Sequence, residues 1–252
     1  MEETLKKEYE KISKKTPFTT FLMNFSEKQI NFPTSCKPEN WNKNRYPDIL
    51  CNEETKFEYS KQNLLNTSIT DLNCNIFLEN PFSESVMHYF DQENCGEQLN
   101  YINANYIKGT HSYNTLFIAT QAPLENTMED FYQMIWESNS KIIISLASLV
   151  ENQKIKMHQF WPGNNKMVNF GQFSVTLKEE IAFQKDMIVR KLSVFNLNLE
   201  ISREIFQIHF TGWPDCGVPH EINSLASIYY LQKKFLGEAD LDFLKGPIIV
   251  HW

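Results

Sequence analysis

"FIATQAPLENTMEDFYQMIWE", Phe117 to Glu137, reads as a strand that passes through a turn into a helix. Thr115 to Thr120, TLFIAT, is a short apolar run of strand length. Beyond Pro123, Thr127 with Asp130 three positions on fits a variant of the capping box, which satisfies the free N–H groups at a helix start. Met128, Phe131, Tyr132, Ile135 and Trp136 then form an apolar stripe at helical spacing. Lys141 to Leu149 follows as a second buried strand, centred on Ile142 to Ile144.

The same reading extends outward in both directions. Leu5, Tyr9 and Ile12 recur at helical spacing among charges and predict a helical extension within residues 1–30. Phe32 to Tyr46 is interrupted by Pro33 and Pro38, with Pro47 just beyond, and reads as loop. "NYINANYIK", Asn100 to Lys108, alternates large and small residues as a paired strand does. From Gly171 to Phe210 the apolar period is two, which predicts an antiparallel meander. Glu221 to Leu236 reads as a helix closed by Gly237 as C-cap. "GPIIVHW", Gly246 to Trp252, reads as a strand buried on both faces. Together these elements predict a mixed sheet with helices, strands dominating the middle of the chain.

Composition narrows the function classes. The 252 residues contain no Pro/Gly/Ser-rich linker and suit one large domain. A formal net charge of −7 argues against a general nucleic-acid binder. No apolar run approaches the roughly 20 residues of a membrane span, and MEETLKKEYEKISKK lacks the apolar core of a signal peptide. The 5 cysteines have no regular spacing, as expected of reduced thiols in the cytoplasm.

Five blocks occur in one order: "KNRYPDI" (Lys43 to Ile49), "NYINANYI" (Asn100 to Ile107), the Phe117–Glu137 stretch, "ENQKIKMHQFWP" (Glu151 to Pro162) and "TGWPDCGVP" (Thr211 to Pro219). In combination they resemble the non-receptor type protein tyrosine phosphatases. The resemblance implies a central twisted mixed sheet flanked by helices, in the mixed α+β and α/β class, as a single domain over residues 1–252. It implies that Tyr46 walls a deep slot and stacks on the substrate ring, with Asp48 holding peptide N–H groups. It implies that Asp215 is the general acid, on a loop hinged at Trp213 and Pro214. Lys156 is matched to a lysine that contacts this loop when closed, and Glu151 to a carboxylate that pairs with the phosphate-loop arginine. Gln121 and Asp130 are matched to positions with mainly structural roles. No metal or cofactor is implied.

The family's nucleophilic cysteine follows the strand that ends here in His251, and the residue at that position is Trp252. The chemistry also needs an arginine six residues after the cysteine. Cys36, Cys51, Cys74, Cys95 and Cys216 are followed at that offset by Asn42, Phe57, Asn80, Tyr101 and Ile222. The expectation is a truncated, catalytically inactive member with a vestigial acid, an interaction or decoy protein for phosphotyrosine proteins or phosphatase partners in the cytoplasm. The alternative is a fragment or misread gene model of an active enzyme. The Lys/Asn/Phe-rich composition and short N-terminal extension look similar to the phosphatase-like proteins of parasitoid-wasp bracoviruses, which act in host immune cells. Three further expectations are that His251 has lost its orienting role, that Glu151 is solvated, and that the last strand leaves apolar surface exposed.

Overall fold

The runs Ile142–Ile144 and Ile248–Val250 have no polar face to offer water, and the fold sets them side by side at the centre of a sheet. The computed structural model describes residues 31–60, 99–108, 116–164, 166–214, 217–219, 221–238 and 246–252. Its strands are β1 (Lys56–Ser60), β2 (Leu99–Lys108), β3 (Leu116–Thr120), β4 (Ile142–Ser145), β5 (Val150–Glu151), β6 (Lys154–Ile155), β7 (Met167–Phe170), β8 (Phe173–Gln184), β9 (Met187–Asn196), β10 (Ile201–Phe210) and β11 (Ile248–His251). Its helices are α1 (Met128–Glu137) and α2 (Ile222–Glu238). Nine strands form one sheet in the order β1-β2-β3-β11-β4-β10-β9-β8-β7, and β5 and β6 form a separate hairpin. β3, β11, β4 and β10 run parallel. The flanks β1-β2-β3 and β10-β9-β8-β7 are antiparallel. This is the predicted mixed sheet, with the meander in place.

Alternation along the strands assigns each apolar side chain to one of two cores. Ile118, Ile143 and Ile249 pack with Phe131, Ile135 and Trp136 of α1. Ile142, Ile144 and Ile248 pack with Ile228, Leu231 and Phe235 of α2 on the opposite face. Both faces of β11 are thereby covered, and Ile248 and Ile249 are buried. The expected bare apolar face on this strand is absent among the described residues. Gly246 admits the strand: a Cβ there would lie 2.2 Å from the carbonyl oxygen of Asn139 at the end of α1.

Several local expectations need correction. Pro38–Lys43 is a 3-10 helix, not loop, with Pro38 at its first position, where the missing N–H costs nothing. Thr127 and Asp130 do not form the capping box. A 3-10 turn, Glu125–Thr127, precedes α1, and the Thr127 hydroxyl accepts from Leu124 N–H at 2.9 Å. Asp130 is buried instead, accepting from the Tyr59 hydroxyl and pairing with Lys43 Nζ at 2.9 Å. α1 carries no one-sided stripe, because all its residues except Glu129 and Glu137 are buried. Gly237 does not cap α2, which continues through it to Glu238. The predicted helix within residues 1–30 lies outside the described residues.

Candidate functional site

Parallel strands deliver the loops that follow them to one edge, where ligands of such sheets bind. Here that edge receives Gln121–Leu124 after β3, Trp252 after β11, Leu146–Leu149 after β4, and Thr211–Trp213 after β10. Hydrogen bonds join the neighbours. Ala122 N–H donates to Trp252 O at 3.0 Å, and Leu146 N–H to His251 O at 2.9 Å. The Ser148 hydroxyl donates to Thr211 O at 3.2 Å.

The loop carrying Tyr46 is clasped to this edge. Arg45 N–H donates to Gln121 Oε1 at 2.8 Å, while Gln121 Nε2 donates to Lys43 O at 2.7 Å. The Arg45 guanidinium donates to Ala122 O at 3.1 Å and to Pro123 O at 2.9 Å. Burial of this group lowers its pKa, opposed by the charge of Tyr46. From below, Asn44 Oδ1 accepts from the Tyr101 hydroxyl and from Asn103 Nδ2, and Asn103 Nδ2 also donates to Ile49 O. Tyr101 and Asn103 of β2 thus tie the loop to the sheet. Tyr46 is left 39% exposed with Asp48 half-buried beside it, and Ile49 N–H closes a turn onto Tyr46 O.

The remaining sequence-predicted residues fall along the same edge or outside the described chain. Trp213 is half-buried against the α2 core, and its indole N–H donates to Gly217 O at 3.2 Å. Gly217 has φ of 143°, a backbone state that favours glycine. Asp215 and Cys216 lie outside the described residues. Glu151 lies on the β5–β6 hairpin, whose turn residues Asn152 and Gln153 both have positive φ, as a type I′ turn requires. It is half-buried and engaged, so the solvated reading is corrected. Lys156 follows the hairpin, with its N–H bonded to Leu149 O at 2.9 Å. His251 is fully buried, and its Nε2 lies 2.8 Å from Ser145 Oγ. This contact holds the ring in place one residue before Trp252. Sequence reasoning missed Arg45 as the clasp; the only signal was its place beside Tyr46 in "KNRY".

Among the described residues, no group of three His, Cys, Asp or Glu is placed to hold a metal ion. No described helix is long and apolar enough to cross a membrane.

A mixed sheet with a parallel centre, helices on both faces and a clasped loop at the carboxyl edge of its parallel strands defines an α/β domain with a ligand-binding edge. The protein-tyrosine phosphatase family profile matches residues 40–252, and the chain belongs to that family. It is 31% identical over 232 residues to tyrosine-protein phosphatase 3 of Dictyostelium discoideum, covering 91% of this chain and 20% of that protein. It is 38% identical over 151 residues to human receptor-type tyrosine-protein phosphatase eta, covering 60% of this chain and 11% of that protein. The chain therefore spans a fifth or less of the length of these curated relatives. Among solved structures, the catalytic domain of human protein tyrosine phosphatase non-receptor type 18 shares the fold, with a TM-score of 0.66 at 24% identity over 90% of this chain and 69% of that one. The same phosphatase in complex with HER2 phosphopeptides matches with a TM-score of 0.65 at 25% identity, over 87% of this chain and 62% of that one.

Proposed function

We propose that these 252 residues act as a single tyrosine-phosphatase-like domain that engages phosphotyrosine proteins without hydrolysing them, an interaction or decoy module in phosphotyrosine signalling. The observation that carries this reading is the cysteine set: none of the 5 has an arginine six positions on. Of the two described, Cys36 is buried, and Cys51 donates its thiol proton to Ala104 O at 3.1 Å. Burial pushes the Cys51 thiol up to about 11, so it stays protonated and a poor nucleophile. Loss of a nucleophile costs on the order of 10⁶ in turnover, by the measure of a serine protease.

Recognition rests on the clasped loop. Tyr46 supplies an exposed ring for stacking, and Asp48 an acceptor for peptide N–H groups. The family likeness adds Trp213, Lys156 and Glu151 to the binding residues and assigns Asp215 as the acid. The phosphopeptide complexes of the non-receptor type 18 phosphatase support phosphotyrosine proteins as the partner class. The irregular cysteines support a cytoplasmic setting. The host-immune-cell setting of the bracovirus likeness rests on composition and on residues 1–30, outside the described chain, and adds nothing to this reading.

The test uses a purified polypeptide of these 252 residues. No turnover of p-nitrophenyl phosphate or of a phosphotyrosine peptide is expected. Calorimetry with phosphorylated and unphosphorylated forms of one peptide should show binding that Tyr46→Ala weakens, with a phospho-preference below about 100-fold, or about 2.7 kcal/mol. Turnover that Asp215→Ala abolishes overturns the non-hydrolytic reading. Binding that ignores Tyr46→Ala overturns the recognition site.

A further inference from the structure

A buried polar chain crosses four strands beneath the sheet edge. Arg190 on β9 sits directly opposite Glu180 on β8 and Gln207 on β10. Its Nε donates to Glu180, and its guanidinium lies 4.1 Å from the centre of the Trp161 ring. Its Nη1 donates to Gln207 Oε1 at 3.2 Å and to His209 Nδ1 at 3.1 Å. Gln207 Nε2 donates to Ser145 Oγ at 2.9 Å, and Ser145 Oγ lies 2.8 Å from His251 Nε2. His209 Nε2 lies 2.8 Å from Ala147 O. Gln207, Ser145 and His251 are all 0% exposed.

The chain has one consistent direction. A guanidinium only donates, so Gln207 must turn its carbonyl to Arg190 and its amide to Ser145. Ser145 then accepts from Gln207, and its own buried proton needs an acceptor. The Nε2 lone pair of His251 is the acceptor at hand, which leaves the ring proton on Nδ1. His209 is set the other way: Ala147 O only accepts and Arg190 only donates, so its proton is on Nε2. Both rings are neutral, with burial lowering their pKa values to about 4 and about 3.

We infer that Arg190, acting through Gln207 and Ser145, holds His251 as the Nδ1–H tautomer, while holding His209 directly as the Nε2–H tautomer. The consequence falls on the site. His251 Nδ1 is buried and has no partner among the described residues, at the end of β11 and one residue before Trp252. As Nδ1–H it holds an unpartnered donor at the buried end of β11, which suits a lone pair or a negative charge. In the other tautomer it would present a lone pair there. Arg190, Gln207 and Ser145 are positioning residues, and the inference stands independently of the phosphotyrosine reading.

Nitrogen-15 NMR of the histidine-labelled chain near neutral pH tests this, because long-range proton correlations separate protonated from bare ring nitrogens. The wild type should show His251 protonated on Nδ1 and His209 on Nε2. Gln207→Glu keeps the shape but makes the residue acceptor-only. Ser145 then donates to the new carboxylate and accepts from His251, so the protonated nitrogen of His251 should switch to Nε2 while His209 is unchanged. Ser145→Ala should leave His251 as a mixture of both forms. A wild-type His251 protonated on Nε2, or a Ser145→Ala spectrum with His251 unchanged, overturns the inference; these two measurements decide it even if Gln207→Glu fails to fold.

Discussion

Burial lowers His209 to about 4 and His251 to about 3, with neighbouring Arg190 adding to the first shift and His209 to the second. In the unfolded chain both titrate near 6.5. Below that value the unfolded state binds more protons than the folded one, so stability is complete above about pH 6.5 and is lost as pH falls through about 4 for His209 and about 3 for His251. Urea unfolding across this window should show a loss of a few kcal/mol, and His209→Gln should flatten the slope; a pH-independent midpoint would contradict both assignments. Arg45 has a comparable structural weight. Its guanidinium satisfies two backbone carbonyls, so Arg45→Ala should cost about 2 kcal/mol in the same assay. Arg45→Lys should recover only part, because an ammonium lacks the planar fork that spans Ala122 and Pro123.

Among the elements, two glycines respond in opposite directions. Gly237 lies inside α2 with open space where a Cβ would go. Gly237→Ala should therefore stabilise the protein by roughly 0.5–1 kcal/mol, the ordinary helix gain. A Cβ at Gly246 would lie 2.2 and 2.5 Å from the carbonyl oxygens of Asn139 and Ser138. Gly246→Ala must push β11 away from the end of α1, at a cost of about 1–3 kcal/mol. Paired thermal melts check the contrast, and equal shifts would show that the strand start is not tightly packed. Asp130 shows why element ends were only partly legible. Its spacing from Thr127 fits a cap, yet the partners that claim it, Tyr59 and Lys43, come from β1 and a distant 3-10 helix. No local pattern records them.

For the whole molecule, β11 is the keystone of the sheet: the last strand in sequence lies between β3 and β4 and touches both cores. Ile249 is 0% exposed, so Ile249→Ala should cost about 2–5 kcal/mol. The loss should appear as a lower urea midpoint with an unchanged slope, since the strand belongs to one cooperative sheet. A separate early transition would show that β11 and its neighbours unfold apart.

Local chemistry decided the order of elements. Apolar runs at Ile142–Ile144 and Ile248–Val250 can only be buried strands, and the period-two stretch from Gly171 can only pay out as a meander. The ordered blocks from "KNRYPDI" to "TGWPDCGVP" likewise made the family readable, because each is contiguous in sequence. Tertiary structure alone decided what meets at the edge. Parallel pairing of β11 with β3 and β4 sets Trp252 beside Ala122 and His251 beside Ser145, contacts between residues 130 and 106 positions apart in the chain. It also decided that Arg45 clasps the Tyr46 loop and that Arg190 reaches His251 through Gln207 and Ser145. These depend on side chains from separate strands satisfying one another where water is excluded, and such a demand arises only once the sheet has closed.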